Sequence, residues 1–217
     1  TILTNRIITS NSNELRGREM SEMFCFQCEQ TARGTGCDKV GICGKEPQTA
    51  ALQDLLVFAL KGVGVYAHRA RQLGIVDLSL DQFVVSALFS TLTNVNFDPV
   101  RIENLIREAV KRREDIRQKY ENACRAQGKT PGELRGISQW IPAESTVGLL
   151  QQAESVSILV RRDLLSADIS STQELLTYGL KGLAAYADHA QVLGARDESV
   201  YGFFHEALNA LTRNDLG

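Results

Sequence analysis

The chain has no surplus of either charge, no long apolar run and no recognisable catalytic constellation. Lys and Arg number 24 against 26 Asp and Glu, a formal net charge of -2. Composition therefore gives no electrostatic case for nucleic acid or an anionic membrane. Asp54 and Lys61 interrupt the most apolar stretch, so no bilayer span is expected. The N-terminal residues lack the apolar core of a secretory signal, which leaves a cytoplasmic location as the expectation. No nucleophile triad, phosphate loop or paired-carboxylate pattern occurs. The three histidines, His68, His189 and His205, are expected to be surface or packing residues. No segment has the alternation of a convincing strand.

What remains is a 217-residue chain, 43% hydrophobic and 23% charged, large enough to bury a core as one domain or two small ones. Residues 1–22, from Thr1 through Asn11-Ser12-Asn13, are polar and patternless. They are expected to be a disordered extension, a non-native remnant or upstream sequence, with Met20 and Met23 both serviceable starts. Asn214-Asp215-Leu216-Gly217 stops just after an amphipathic helix, so the chain is expected to be cut short.

Four of the five cysteines lie close together. Cys25, Cys28, Cys37 and Cys43 follow the spacing C-x2-C-x8-C-x5-C. In a reducing compartment, clustered cysteines are metal ligands more often than disulfides. The spacers carry Gly34, Gly36 and Gly41, and Gly44 follows the last cysteine. Glycines let backbone N–H groups approach thiolates and help hold a negatively charged cluster. Lys39 and Lys45 are candidates to offset the thiolate charge. A zinc site usually joins two C-x2-C units, whereas the second pair here is C-x5-C. That asymmetry favours iron–sulfur, and a structural zinc site with four cysteine ligands stays open as the alternative. Cys124 stands apart on a basic helix and is expected to have no role.

The scaffold has its own signature. Residues 52–74 and 172–194 form an internal repeat at an offset of 120. Leu60, Lys61, Gly62, Tyr66 and Gly74 match Leu180, Lys181, Gly182, Tyr186 and Gly194. The match runs on to give units of about 52–94 and 172–214. Each is expected to be a long helix, a turn and a shorter helix. Pro47 suits a first helical turn, and Gly74 and Gly194 suit left-handed stops. Ser171-Thr172-Gln173-Glu174 has a capping-box pattern. Ser79 and Ser199 or Asp197 are candidate caps for the short helices. Gly62 and Gly182 predict close helix packing, and the Lys61/Lys181 and Tyr66/Tyr186 pairs are assigned to the same packing. Further helices are expected over 98–126 and 147–161, with irregular chain between. The basic stripe of Arg107, Lys111, Arg112, Arg113, Arg117 and Lys119 is expected to be a solvated face, or else a docking patch for an acidic electron-transfer partner. The fold class is all-α: two small helical bundles of six or so main helices (residues 47–217), related by the repeat, behind a Cys-rich loop at residues 23–46.

The stretch MFCFQCEQTARGTGCDKVGICGK at 23–45 resembles the N-terminus of the hybrid cluster protein family, also called prismane proteins or hydroxylamine reductases. LQDLLVFALKG and LLTYGLKGLAAYADHA resemble that family's N-terminal helical region, so the resemblance covers about residues 23–217. It implies a helical domain of two three-helix bundles. It also implies a [4Fe-4S] cluster on Cys25, Cys28, Cys37 and Cys43. It implies reduction of hydroxylamine or nitric oxide in nitrosative-stress defence, with electrons from a ferredoxin-like protein or a flavin/iron–sulfur reductase. The family's catalytic hybrid iron–sulfur–oxygen cluster is held by a His, two Glu and several Cys of later domains. No cysteine follows Cys124, so that cluster is not expected here. No catalytic residue is assigned, and the chain alone is predicted inactive. A free-standing iron–sulfur electron carrier or redox sensor is the alternative within the same chemistry.

Overall fold

The structure, a computed structural model, describes residues 23–132 and 134–215. The expectation for residues 1–22 lies outside them. Among the described residues the chain is helical: α1 (Pro47–Gln72), α2 (Leu78–Ser90), α3 (Pro99–Ala126), α4 (Thr146–Ser155), α5 (Ile158–Leu164), α6 (Ala167–Val192) and α7 (Glu198–Ala210). Short 3-10 turns occupy Ala32–Gly34 and Gly136–Gln139. The nearest approach to a sheet is one isolated antiparallel bridge between Cys25 and Cys37.

Helix ends follow local chemistry. Pro47 and Pro99 sit in first turns, where a missing N–H costs nothing. Asp98 caps α3 through the Val100 and Arg101 N–H groups. The short helices are capped by Asp77 and Asp197 rather than by serines. Gly74 and Gly194 have φ of +80° and +83°. At each, the paired bonds of a Schellman stop form: Gly74 N–H to Arg71 and Ile75 N–H to Ala70, Gly194 N–H to Gln191 and Ala195 N–H to Ala190.

Two boundaries differ from the sequence reading. The helix expected over 147–161 is two, because Ser157 accepts from the Val160 N–H and starts α5 afresh. The capping-box residues Ser171–Glu174 lie inside α6, which begins one turn earlier with Ser166 as its cap.

α1 is the centre of the packing. By length and composition it would suffice to cross a bilayer, yet 83% of that window is buried against the rest of the protein. α3 and α7 pack most extensively on it, with α4 and the Gly136–Gln139 turn closing another side. α2 packs against α6. The α6–α7 hairpin therefore lies across the α1–α2 hairpin, and one continuous core joins them through Leu56, Leu60, Val84, Ile106, Leu180 and Phe204. A buried polar chain pins three helices: His205 Nε2–H donates to Asp81 Oδ1 at 2.7 Å, and Arg71 donates to Asp81 and to Glu198. His205 and Asp81 are both inaccessible to solvent.

The two repeat units have different surroundings. Tyr66 is buried, whereas Tyr186 is 80% exposed together with Leu175, Val192 and Leu193. The expected close packing at the paired glycines holds for one only. A Cβ on Gly62 would sit 2.9 Å from the Ile137 carbonyl oxygen, while nothing lies within 4 Å of one on Gly182. The tightest approach is at Gly64, where a Cβ would fall 2.4 Å from Leu208 Cβ.

The basic stripe of α3 is less solvated than its pattern suggested. Arg113 is buried and donates to the Trp140 carbonyl at 2.6 Å. Arg112 stacks over Phe83, and Arg117 pairs with Glu114.

Gly64→Ala is expected to destabilise the chain by about 1–3 kcal/mol through overpacking. Gly182→Ala is expected to be neutral or to stabilise by up to about 1 kcal/mol. Urea unfolding of the two variants beside the parent chain checks both signs.

Candidate metal centre

The cysteine loop is built by backbone pairing and positive φ. Cys25 N–H donates to the Cys37 carbonyl at 3.0 Å, and Cys37 N–H returns to the Cys25 carbonyl at 2.7 Å. Met23 N–H bonds to Asp38. Gly34, Gly36 and Gly44 turn the chain with φ of +69°, +137° and +85°. At Gly36 a side chain is excluded twice over, since a Cβ would also meet the Phe24 ring at 2.6 Å. Gly41 packs against the last cysteine: a Cβ there would lie 3.0 Å from Cys43 Sγ and 3.2 Å from the Lys45 nitrogen.

None of the five cysteines is joined to another in a disulfide. Cys37 is buried; Cys25, Cys28 and Cys43 are half-buried. The Ala32 N–H points at Cys37 Sγ at 3.5 Å, and Thr31 Oγ1 lies 3.9 Å from it. The Ala32 N–H holds the Cys37 thiol below its ordinary pKa; burial opposes this, and donation from Ile42 and Thr31 reinforces it. Lys45 is 1% exposed, whereas Lys39 lies on the surface. Cys124 is in the helical core.

A set of four thiols suits a soft-metal or iron–sulfur centre. Among the described residues no three Cys, His, Asp or Glu side chains converge at the spacing of one bound ion.

The loop leans on α6 through an aromatic run. Phe24 and Phe26 have ring centroids 5.3 Å apart, and Phe26 meets Tyr178 edge-on at 5.2 Å. Beneath the loop lies a small cavity of about 20 Å³, lined among others by Gln27, Asp54, Lys61, Arg161, Glu174, Tyr178 and Lys181. Lys61 and Lys181 are buried, 6% and 3% exposed. With its amide oriented to satisfy both ends, Gln27 accepts from Lys181 Nζ at 2.8 Å and donates to the Thr91 carbonyl at 3.2 Å. Arg161 pairs with Glu174. Burial pushes Lys61 down to about 7 and Lys181 down to about 8. It pushes Asp54 up, against the pull of Lys181 and Arg161.

Sequence reading found the four cysteines and Lys45 but placed the lysine pair only in packing. Asp54 registered as an interruption of an apolar run. Glu174 registered as part of a cap, and Arg161 as the end of a helix. The signal that joins them is the offset of 120, which puts a lysine on the inner face of each long helix.

These features define a class first: an all-α protein whose cysteine-rich N-terminal loop is folded against a helical bundle. The chain belongs to the Prismane/CO dehydrogenase family, whose family model matches residues 23–217. It is 50% identical over 189 residues to a hydroxylamine reductase of Rhodospirillum rubrum. It is 47% identical over 190 residues to one of Geobacter metallireducens, and 48% identical over 196 residues to one of Acidithiobacillus ferrooxidans. These matches cover 87–88% of this chain but only 34–35% of the relatives. The chain thus spans about a third of their length.

Gly41→Ala is expected to push against Cys43 Sγ and weaken metal binding about tenfold or more, since crowding of this kind costs about 1–3 kcal/mol. Iron content after anaerobic reconstitution, with helix content by circular dichroism as control, checks this.

Proposed function

We propose that residues 23–217 are the N-terminal electron-transfer domain of a hydroxylamine reductase, with Cys25, Cys28, Cys37 and Cys43 holding a [4Fe-4S] cluster. When bound, such a cluster supplies one-electron storage. The chain's own residues set its surroundings. The Ala32 N–H donates toward sulfur. Thr31 Oγ1 donates to the Cys25 carbonyl at 3.2 Å and braces the loop. Gly36 and Gly41 let the backbone close around the thiols. Lys45, Lys61 and Lys181 are buried, and the Cys25 thiol favours the ammonium form of Lys181.

The observation that carries the reading is this set of four free cysteines in one loop, in a chain half identical to a hydroxylamine reductase over most of its length. In the longer protein, electrons would enter from a ferredoxin-like or flavin/iron–sulfur donor. They would pass to a hybrid iron–sulfur–oxygen cluster bound by further domains, where hydroxylamine or nitric oxide is reduced. Nitrosative-stress defence in a reducing cytoplasm, where free thiols persist, fits this role.

The chain prepared without oxygen is expected to be brown and to bleach with dithionite. Replacing Cys25, Cys28, Cys37 or Cys43 by Ser should abolish the colour, while Cys124→Ser should keep it. Hydroxylamine consumption by the 217-residue chain alone should be absent. Colour that survives all four loop replacements, or turnover by this chain, would contradict the proposal.

A further inference from the structure

The buried charges beneath the cysteine loop are not explained by packing. Two lysines from equivalent positions of the two long helices reach one cavity of about 20 Å³, room for a single water. The groups around them come from every adjoining element. α1 brings Asp54, α5 brings Arg161, and α6 brings Glu174 and Tyr178. From the cysteine loop come Gln27, Lys45 and the field of Cys25. Lys45, Lys61, Lys181 and Arg161 gather here with Asp54, Glu174 and the Cys25 thiol. Tyr178 Oη is buried with no hydrogen-bond partner, so the cavity holds an unfilled polar position. A buried ammonium group is costly unless a negative charge offsets it or a proton leaves.

We propose that Lys61 and Lys181, with Asp54 lining the same cavity, form a proton-holding site that couples reduction of the cysteine-bound centre to uptake of one proton by the pair. The inference rests on the [4Fe-4S] reading. The balance is one electron delivered by an electrode or dithionite and one proton from solvent bound at a lysine Nζ, with no other bond made or broken. The two lysines share one cavity, and the Lys181 charge adds to what holds the Lys61 ammonium down. Gln27, two residues from Cys25 and one from Cys28, joins Lys181 directly to the loop.

The sign follows from the geometry. More negative charge at the cysteines favours the ammonium form, so the pair binds its proton more tightly in the reduced state. Below the oxidised-state midpoint both states are protonated and the potential is flat. Between the two midpoints the potential falls as pH rises, by up to tenfold per pH unit, or about 59 mV for one electron. Burial already places the unloaded lysines at about 7 and about 8. The falling segment is therefore expected to begin above neutral pH.

The test is an EPR-monitored redox titration of the cluster-loaded 217-residue chain between about pH 6 and 10, beside Lys61→Met, Lys181→Met and the double variant. The parent should show the falling segment. Each single variant should shift or shorten it, and the double variant should be flat at lower potential. A parent whose potential is flat across the range overturns the proposal, as does a double variant that keeps the full slope. A second measurement needs neither a variant nor a cluster. NMR of labelled lysine side chains should show the pair's midpoint at least one pH unit higher in the zinc-loaded chain than in the metal-free chain. An unmoved midpoint overturns the proposal. Zinc without iron or sulfide sinks the [4Fe-4S] reading and the coupling to reduction with it, because zinc has no state to reduce. An iron–sulfur chain with a flat potential and unmoved lysines overturns the coupling alone and leaves the [4Fe-4S] reading standing.

Discussion

A 26-residue helix that is apolar on nearly every side must be surrounded, and α1 sets the terms for the rest of the molecule. Leu52, Leu55, Leu56, Leu60 and Val63 have no solvent exposure. Burying such side chains is worth about 1.5–3 kcal/mol each, far more than any surface ion pair in this chain. α3 and α4 close two sides of the helix and α7 a third. Gly64 lets α7 approach where any side chain would collide. The His205–Asp81–Arg71 chain then fixes how α7, α2 and α1 meet, because each buried polar group needs the others.

That enclosure makes the polar interruptions of α1 informative. Lys61 is buried, Asp54 partly so, and both line a small polar cavity with groups from α5 and α6. The cysteine loop folds over this cavity and against Tyr178. Gln27 and Lys181 join the loop to the helical core.

Much of this was legible in the sequence. Pro47, Gly74 and Gly194 marked helix ends because proline and positive-φ glycine have few other uses there. The cysteine spacing identified the loop, and the offset of 120 located the long helices. What escaped was decided by tertiary surroundings. Ser171 to Glu174 carried a capping pattern, yet Ser166 started α6 earlier. Gly62 and Gly182 looked alike, yet only Gly62 meets a neighbour's backbone. Arg113 sat in a basic stripe, yet two carbonyls draw it inside. Local pattern cannot say which copy of a repeat is covered, nor which charge on a helix faces inward.

The central claim is that Cys25, Cys28, Cys37 and Cys43 hold a four-iron cluster against a bundle that carries matching buried positive charge. The most direct test is the count of iron, acid-labile sulfide and zinc per chain in protein purified without oxygen. The account predicts about four iron and about four sulfide with no zinc. One zinc per chain with neither iron nor sulfide would contradict it.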